Sequence, residues 1–318
     1  MADGARNIKK GRSLLCQRTP IKYGFIREQQ KTFPVTVLCK VMQVSTSAFY
    51  SWDKAPEDTD KKVLQKQLEA KAIQLFDENK KIYGSRRLSE AFIKEDFQVG
   101  RYKAKQLMKK LGLKPRYPKR FKVTTDSDHN DAISPNHLNR QFDVTAPNKV
   151  WTTDITYVWT LEGWLYVAVV IDLFSRQVVG WSIDDHMRTS LCVNALQMAF
   201  WRRKPEPGLQ HHSDRGSQYA SHEYRAHLGM MKMQQSMSRK GNCWDNSPTE
   251  RFFRSLKHEQ LNHEKFRTKE SARLSIIDYL AFYNGKRMHS KLSYQSPLEF
   301  EREFYRKTAL REGVNKFV

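Results

Sequence analysis

The spacing of apolar residues in the first part of the chain predicts helices. Residues 34–52 fit a helix, a tight turn and a second helix with Ser45 as its N-cap, which is the spacing of a helix-turn-helix. A small helical hairpin that only packs fits equally well, so DNA binding by this segment is a hypothesis. Residues 61–78 carry one apolar helical stripe, too short for three heptads, which favours core packing over a zipper. The stripe consists of Leu64, Leu68, Ala72, Leu75 and Phe76.

Two further helices are predicted where the chain becomes strongly basic. The first opens at residues 83–88, a turn follows at Val99 and Gly100, and Arg101 begins the second. Between Arg101 and Lys122 there are ten Lys or Arg residues and no acid. A solvated face has the same pattern, but after a second helical pair we favour a DNA-binding arm. The expected DNA contacts in this region are Arg86, Arg87, Arg101, Lys103 and Lys105.

Beyond this basic region the pattern changes to strands that alternate with helices. Residues 123–145 are rich in Asp, Asn, Ser, Thr and Pro and are predicted to be a linker. Residues 150–158 are rich in β-branched and aromatic residues and predict a strand, and residues 188–203 predict a helix. The alternation predicts an α/β fold with a mixed sheet flanked by helices. Trp151, Trp164 and Trp181 are expected in the core, although an exposed ring would suit stacking on an unpaired base.

Composition points to a nucleic-acid partner. The chain has 56 Lys plus Arg against 34 Asp plus Glu, a formal charge of +22, and a polyanion is the counterpart of such a field. Its 318 residues suggest two or three domains, and its four cysteines form no paired motif, which indicates a reducing cytosol. The longest apolar run has eight residues, far below the ~20 that span a bilayer, and the polar N-terminus shows no secretory leader.

Three carboxylates are the candidate site: Asp154, Asp214 and Glu250, called here the acidic triple. Asp154 lies within the predicted strand, Asp214 at a strand-to-loop exit, and Glu250 on a helix that begins around Asn246. On that helix Glu250, Arg254 and Lys257 fall within about 60° of one another. Because the chain has 34 acidic residues, this spacing alone is weak evidence for a catalytic site. The prediction therefore depends on the strand, strand end and helix in which the three residues lie. Carboxylates suit Mg²⁺, and two ions about 4 Å apart support phosphodiester chemistry.

Five segments together resemble one known family. They are Trp151–Tyr157, Val170–Trp181, His212–Tyr219, Asn246–Lys257 and Tyr283–His289. They are similar to the integrase core of bacterial insertion-sequence-three transposases, in particular the second reading-frame product of these elements. The resemblance covers residues 146–303 strongly and residues 35–115 more loosely. Met288 departs from it, because the family often has proline before the histidine.

The resemblance implies a fold, an activity and roles for named residues. The fold would be ribonuclease-H-like, preceded by small all-α helix-turn-helix-like DNA-binding segments. The enzyme would be an Asp-Asp-Glu DNA transposase or integrase that cleaves element ends and transfers strands. The acidic triple would be catalytic and would hold two Mg²⁺ ions, with Mn²⁺ as a substitute; 35 residues separate its second and third members, as in the family. Lys257 would hold terminal DNA, and Arg254, Arg287 and His289 are further expected contacts.

These implications set the expected domains and partners. The segments would be an N-terminal extension at 1–20, a helix-turn-helix-like segment at 21–60, a helical basic domain at 61–122, the linker at 123–145, the integrase catalytic domain at 146–305 and a tail at 306–318. Partners would be double-stranded DNA of element ends and target, further copies of the chain on DNA, and an upstream reading-frame product. The expected location is the bacterial cytoplasm, in association with the nucleoid.

Other functions fit parts of the same pattern. A structure-selective nuclease of similar fold would cut and never join, and a DNA-binding regulator would keep the fold without turnover. The neighbouring His211 and His212 suggest zinc, but neither has a Cys or His partner at a suitable interval. No glycine-rich phosphate loop is evident, so we expect no dependence on ATP.

Overall fold

The computed structural model describes residues 17–54, 60–116, 133–240 and 242–311. Residues 1–16, 123–132 and 312–318 of the predicted extension, linker and tail lie outside the described residues. Contacts divide the chain into two compact units, residues 1–70 and residues 71–318. Each unit is described by itself.

The first unit contains the predicted helix-turn-helix geometry. Its helices are α1 (Thr19–Gln29), α2 (Val35–Met42) and α3 (Thr46–Asp53), and α4 (Asp60–Glu78) begins in it. Gln43 ends α2 in the left-handed conformation (φ 54°), and the Ser45 hydroxyl accepts the Ala48 amide at 3.4 Å as the N-cap of α3. The unit packs around Tyr23, Ile26, Leu38, Cys39, Met42 and Phe49.

The second unit begins with the basic helical pair. After α4, the predicted helices are α5 (Ser85–Lys94) and α6 (Arg101–Lys110). Leu88 of α5 and Leu107 of α6 are buried. The Ser89 hydroxyl donates to the Val99 carbonyl at 2.7 Å. The apolar stripe of α4 is buried from Leu68 to Phe76, whereas Leu64 is exposed.

A five-stranded mixed sheet forms the centre of the second unit. Its strands are β1 (Val150–Thr160), β2 (Gly163–Asp172), β3 (Val178–Asp184), β4 (Gln210–Ser213) and β5 (Gln234–Met237), in the order β3-β2-β1-β4-β5. β1, β2 and β3 are antiparallel neighbours, while β4 runs parallel to both β1 and β5. This arrangement confirms the predicted ribonuclease-H-like sheet.

Helices cover both faces of the sheet. The helices of this part are α7 (Thr189–Arg203), α8 (Ser217–Ala220), α9 (His222–Met230), α10 (Ser247–Glu259), α11 (Lys269–Gly285) and α12 (Pro297–Arg311). α7, α8 and α9 share a core with Trp151, whereas Thr152 on the opposite face bonds to Thr249 of α10. Among the helices in the described ranges, none has both the length and the apolar content needed to cross a membrane.

Two of the three tryptophans named above depart from the expected burial. Trp151 is fully buried, but Trp181 is only half-buried and Trp164 is 44% exposed. Trp164 lies opposite Trp159, next to the turn that joins β1 and β2. The apolar run at 164–171 therefore enters the core only after its first residue.

Candidate active site

Asp154 and Asp214 lie next to each other at two neighbouring parallel strands. The last paired residues of the parallel strands β1 and β4 are Thr152 and His212. Asp154 and Asp214 each follow two residues later, so the register places them side by side. One oxygen of Asp154 accepts the amide of Ile155 at 2.7 Å. As predicted, Asp154 lies within a strand, β1, and Asp214 lies at the exit of a strand, directly after β4.

The loop after β4 orients the Asp214 carboxylate. The Gly216 amide donates to Oδ1 of Asp214 at 2.9 Å. A Cβ built on Gly216 would lie 3.1 Å from this oxygen and 3.0 Å from Oε1 of Gln218, closer than side chains normally pack. Glycine therefore lets the turn close tightly around the carboxylate.

Polar contacts at the start of α10 bring Glu250 towards β1. Nδ2 of Asn246 donates to the carbonyl of Thr153 at 3.0 Å, and the Thr249 hydroxyl donates to that of Thr152 at 2.7 Å. Asn246 occupies the N-cap position of α10, but its side chain makes no cap bond and instead joins the helix to the strand. Asn246 and Thr249 are polar residues shortly before Glu250 in the sequence. Their burial could not be inferred from the sequence.

The members of the acidic triple influence one another's ionisation. Burial, followed by the charge of Asp214 and more weakly that of Glu250, raises the pKa of Asp154 well above its usual value. The Ile155 amide and Lys257 oppose this shift. Partial desolvation by its neighbours and the charge of Asp214 also raise the pKa of Glu250, although the residue keeps an exposed surface. The structure thus brings the three predicted carboxylates into one electrostatic group.

A tighter acidic cluster lies elsewhere on the second unit. Within the described ranges, the one set of three metal-binding side chains whose ligand atoms all lie within 4.8 Å of one another is Asp184, Asp185 and His186. Asp185 is paired with Lys269 at 3.3 Å and Asp184 with His186 at 3.4 Å. The acidic triple is wider than this, as mutual repulsion of three carboxylates favours.

The predicted charged stripe of α10 borders the triple. Phe252, Phe253 and Leu256 are buried, while Arg254 is exposed and Lys257 half-buried. Nζ of Lys257 lies 4.9 Å from the centre of the Tyr157 ring. Burial lowers the pKa of Lys257, and the nearby Asp154 charge acts in the opposite direction. The Lys257 ammonium therefore lies near both Asp154 and Tyr157.

Comparison with known proteins accounts for this arrangement. Two family models described as integrase core domain match residues 144–243 and 231–297, and a model described as HTH-like domain matches residues 64–121. The transposase InsF of insertion sequence IS3A from Escherichia coli (strain K12) is 36% identical over 88% of this chain and 98% of its own length. The chain belongs to the IS3 family of transposases.

A second relative matches over its whole length. The uncharacterized 31 kDa protein of insertion element IS600 from Shigella sonnei is 39% identical over 86% of this chain and 100% of its own length. The IS3-family membership confirms the resemblance inferred from sequence and makes the chain a DNA transposase/integrase enzyme. The HTH-like match falls on the predicted basic domain at 61–122 and not on residues 21–60.

Solved structures of viral integrases are more distant from this transposase. A simian T-cell lymphotropic virus intasome in complex with PP2A regulatory subunit B56 gamma is 15% identical over 69% of this chain and 70% of that chain, with a TM-score of 0.44. The HTLV-2 integrase catalytic core domain in complex with magnesium is 18% identical over 49% of this chain and 97% of that chain, with a TM-score of 0.39. The family assignment depends on the sequence relatives alone.

The predicted DNA contacts on the basic helices of the transposase differ in exposure. Arg86 on α5 and Arg101, Lys103 and Lys105 on α6 are exposed. Arg87 is half-buried, with its guanidinium 5.7 Å from the centre of the Tyr83 ring, and burial lowers its pKa. The four exposed cations fit a phosphate-binding surface, and their contacts with DNA stay a prediction.

Arg287 has a different place from the one expected. Its side chain is 5% exposed and forms an ion pair with Glu259 at the end of α10. Its Nη1 lies 3.1 Å from Nε2 of His289, whose ring packs edge-on against Tyr283. A buried guanidinium that is satisfied by a carboxylate does not face solvent, so the direct DNA contact expected of Arg287 is not available in this arrangement. Burial and the charge of Arg287 lower the pKa of His289, which is neutral here.

The paired histidines of β4 are packed in the interior. His212 lies between the hydroxyls of Ser236 and Ser238, at 2.9 and 3.2 Å, and Nε2 of His211 contacts the Tyr224 hydroxyl at 3.2 Å. Burial lowers the pKa of His211 to about 3 and that of His212 to about 4. These hydroxyl contacts give both rings a structural role in the packing of β4.

Proposed function

We propose that this IS3-family transposase cleaves DNA at the ends of its element and joins the released 3′-hydroxyl to another phosphodiester, with the acidic triple as its Mg²⁺ ligands. The observation that carries the proposal is the proximity of Asp154, Asp214 and Glu250. The charge of Asp214 raises the pKa of both Asp154 and Glu250, and the charge of Glu250 also raises that of Asp154. The expected ions are two, with Mn²⁺ as a substitute.

The donor set fits a hard divalent cation. All three side chains offer carboxylate oxygens, which are the ligands that Mg²⁺ prefers. The raised pKa values of Asp154 and Glu250 reflect burial and the charge of Asp214, and a bound divalent cation would offset both. Mg²⁺ bound there would activate the attacking oxygen and stabilise the leaving oxygen of a phosphodiester. The chain's own contribution is to hold the ligands: Gly216 orients Asp214, and Asn246 and Thr249 tie α10 to β1.

Lys257 is suited to hold the end of the DNA beside the metal ligands. It lies close enough to Asp154 for each charge to affect the other's pKa. A half-buried ammonium in this position would bind a phosphate next to the reacting one. Arg254, one turn earlier on the same face of α10, is exposed and would extend this contact along the backbone.

The remaining DNA would lie along the basic helices. Arg86, Arg101, Lys103 and Lys105 are exposed on α5 and α6, and phosphate contacts of this kind give salt-dependent, largely sequence-independent affinity. His289 stays a further candidate contact. Joining two ends to a target requires more than one copy of the chain on DNA, and an upstream reading-frame product is a further candidate partner.

A strand-transfer assay tests the proposal. The protein is incubated with labelled element-end DNA, a target plasmid and Mg²⁺, and the products are separated as joined, cut or bound only. We expect joined product from the wild type and none from Asp154→Asn, Asp214→Asn or Glu250→Gln, each with normal DNA binding. Asp184→Asn is the matched control, because it removes a carboxylate from the other acidic cluster.

Each other result supports a different function. Cut product without joining favours the nuclease, and a bound complex without cutting favours the regulator. Strand transfer retained in Asp154→Asn would remove the assigned metal site. For Lys257→Ala we expect weaker binding of end DNA with unchanged response to Mg²⁺, compared with Lys307→Ala on α12.

A further inference from the structure

An exposed group of aromatic rings lies at the end of the β1–β2 hairpin. Trp159 is 56% exposed and Trp164 44% exposed, and their ring centres lie 4.8 Å apart at an angle of 70°. Tyr157 packs edge-on against Trp164 at 5.0 Å. Large apolar rings that a folded protein leaves in solvent mark an interaction surface. We call Tyr157, Trp159 and Trp164 the aromatic platform.

The platform is connected to the candidate active site through Lys257. The Lys257 ammonium lies over the Tyr157 ring and near Asp154, which precedes Tyr157 by three residues and therefore points to the other face of β1. From Asp154 to Trp159 is five residues, or about 17 Å along β1. A stacked nucleic-acid strand advances about 3.4 Å per base, so a strand that starts at the acidic triple would reach the platform within about five base steps.

A second source of positive charge lies on the segment that is bonded to the hairpin turn. The Leu161 amide in the hairpin turn donates to the carbonyl of Phe266 at 3.1 Å, which holds residues 264–268 against the turn. Lys265 and Arg267 on this segment are exposed. The nearby Glu162 is engaged, because its carboxylate accepts the Lys269 amide at 2.7 Å at the start of α11. Lys257 next to Tyr157 and the exposed Lys265 and Arg267 on the segment bonded to the turn therefore supply cations near the platform.

Rings with a basic rim match the chemistry of an unpaired nucleotide. Every base has an apolar face that stacks on an aromatic ring, and its phosphates require neighbouring cations. A second copy of this chain is a poorer occupant, since Lys257, Lys265 and Arg267 would meet the same charges on the copy. We propose that Trp159 and Trp164 stack on an unpaired base of the substrate DNA, while Lys265 and Arg267 bind its adjoining phosphates.

The proposal deepens the proposed function and rests on it, since it requires a DNA strand to leave the acidic triple along β1. It explains why the rings are exposed beside the reacting groups. A base held on the platform would stay out of the duplex, which keeps the end of the DNA open next to Lys257. The platform would thus favour substrates with unpaired or easily opened ends.

Binding of two single-stranded probes tests the platform without any need for turnover. One probe is oligodeoxythymidylate, and the other is an oligomer of the same length made of abasic sugars, which keeps the phosphates and lacks the bases. We expect the wild type to prefer the thymidine probe. Trp159→Ala should lose about five- to 150-fold in affinity for it and bind the abasic probe unchanged, while Trp159→Phe keeps most of the preference.

Controls separate stacking from charge and from folding. Trp201→Ala on α7 removes a ring that is 68% exposed and outside the platform, and it should change neither affinity. A Lys265→Gln/Arg267→Gln double variant should weaken both probes alike and reduce the salt dependence of binding. Thermal unfolding of each variant checks that it is folded. We expect all of them to fold, because the substituted residues are exposed.

Several results would overturn the platform. They are equal wild-type affinity for the two probes, or an unchanged preference in Trp159→Ala. A change in sedimentation of Trp159→Ala without a change in base preference would assign the rings to contact between copies. These failures are distinct from failure of the proposed function, which is a loss of the requirement for Asp154 in strand transfer.

Discussion

Arg287 and Glu259 form a buried, two-pronged ion pair that ties the end of α10 to the segment after α11. Nη2 of Arg287 lies 2.5 Å from Oε1 of Glu259, and its Nε lies 2.6 Å from Oε2. The Tyr279 hydroxyl donates to the same carboxylate at 2.6 Å. Burial acts to raise the pKa of Glu259, but the Arg287 charge and these bonds outweigh it and lower the pKa. Glu259 is therefore ionised and fully paired.

The backbone of Glu259 also connects the basic helical segment to α10. Arg116, which follows α6, donates to the backbone carbonyl of Glu259 at 3.1 Å. The Tyr83 hydroxyl, just before α5, accepts the amide of Met288 at 3.0 Å. The helix that carries Glu250 and Lys257 is thus held at its far end by residues from three parts of the second unit.

We predict that breaking this pair strongly destabilises the protein. Arg287→Met should lower the free energy of unfolding by about 3–5 kcal/mol, because it leaves the Glu259 charge buried without a partner. The double variant Glu259→Gln/Arg287→Met should lose much less than the sum of the single variants. Chemical denaturation measures all three. Lys307→Met, which breaks an exposed pair with Glu303 on α12, should cost less than about 1 kcal/mol. Additive losses across the cycle would show that the pair is not coupled.

We predict that Gly180 is required where α7 crosses β3. A Cβ at Gly180 would lie 2.3 Å from the carbonyl oxygen of Ala195 and 2.7 Å from Cβ of Ala199. Gly180→Ala should therefore force the helix away from the sheet and cost about 1–3 kcal/mol in unfolding free energy. Gly229→Ala is the control, since that helical glycine has open space at its Cβ and should gain up to about 1 kcal/mol. An equal response of the two variants in thermal unfolding would contradict the prediction.

Local sequence patterns predicted the helices and strands that contain the acidic triple, because each element is indicated by neighbouring residues. The β-branched run around Asp154, the loop exit at Asp214 and the helix start around Asn246 each indicate an element, and each element is present. The family motifs then supplied the grouping of the three carboxylates, which no single segment contains.

Tertiary contacts account for what the sequence could not provide. Asn246 has the appearance of a capping residue, and only the packing of α10 on β1 directs its side chain to the Thr153 carbonyl. Arg287 resembles any other cation in a basic chain, and its burial depends on Glu259, 28 residues away. Trp164 likewise begins an apolar run, but its position next to the β1–β2 turn leaves it exposed while the residues after it enter the core.

The buried His212 makes stability depend on pH. Burial lowers its pKa from 6.5 to about 4, so the folded state keeps the ring neutral while the unfolded chain takes up a proton below pH 6.5. The stabilising contribution is present above the unfolded pKa and is lost as pH falls towards the folded one. Between pH 7 and pH 5 this residue alone should lower the unfolding free energy by about 2 kcal/mol.

His212→Gln tests this dependence. The variant should show a weaker fall in unfolding free energy between pH 7 and pH 5, whatever its stability at pH 7. His222→Gln, at an exposed position at the start of α9, should keep the wild-type slope. Chemical denaturation at the two pH values gives both slopes. Equal slopes for wild type and His212→Gln would mean that the ring is protonated in the folded state.

We predict that Asp154→Asn stabilises the protein when divalent cations are removed. Burial and the neighbouring carboxylates raise the pKa of Asp154 in the folded state, so its contribution to stability is greatest below the unfolded pKa and is lost as pH rises through the folded one. In EDTA at neutral pH, the variant should therefore unfold at a higher temperature than the wild type, and the difference should vanish in acid. Added Mg²⁺ should raise the melting temperature of the wild type and of Asp184→Asn, but not that of Asp154→Asn. A Mg²⁺ shift that survives Asp154→Asn and disappears in Asp184→Asn would move the metal site to the other cluster.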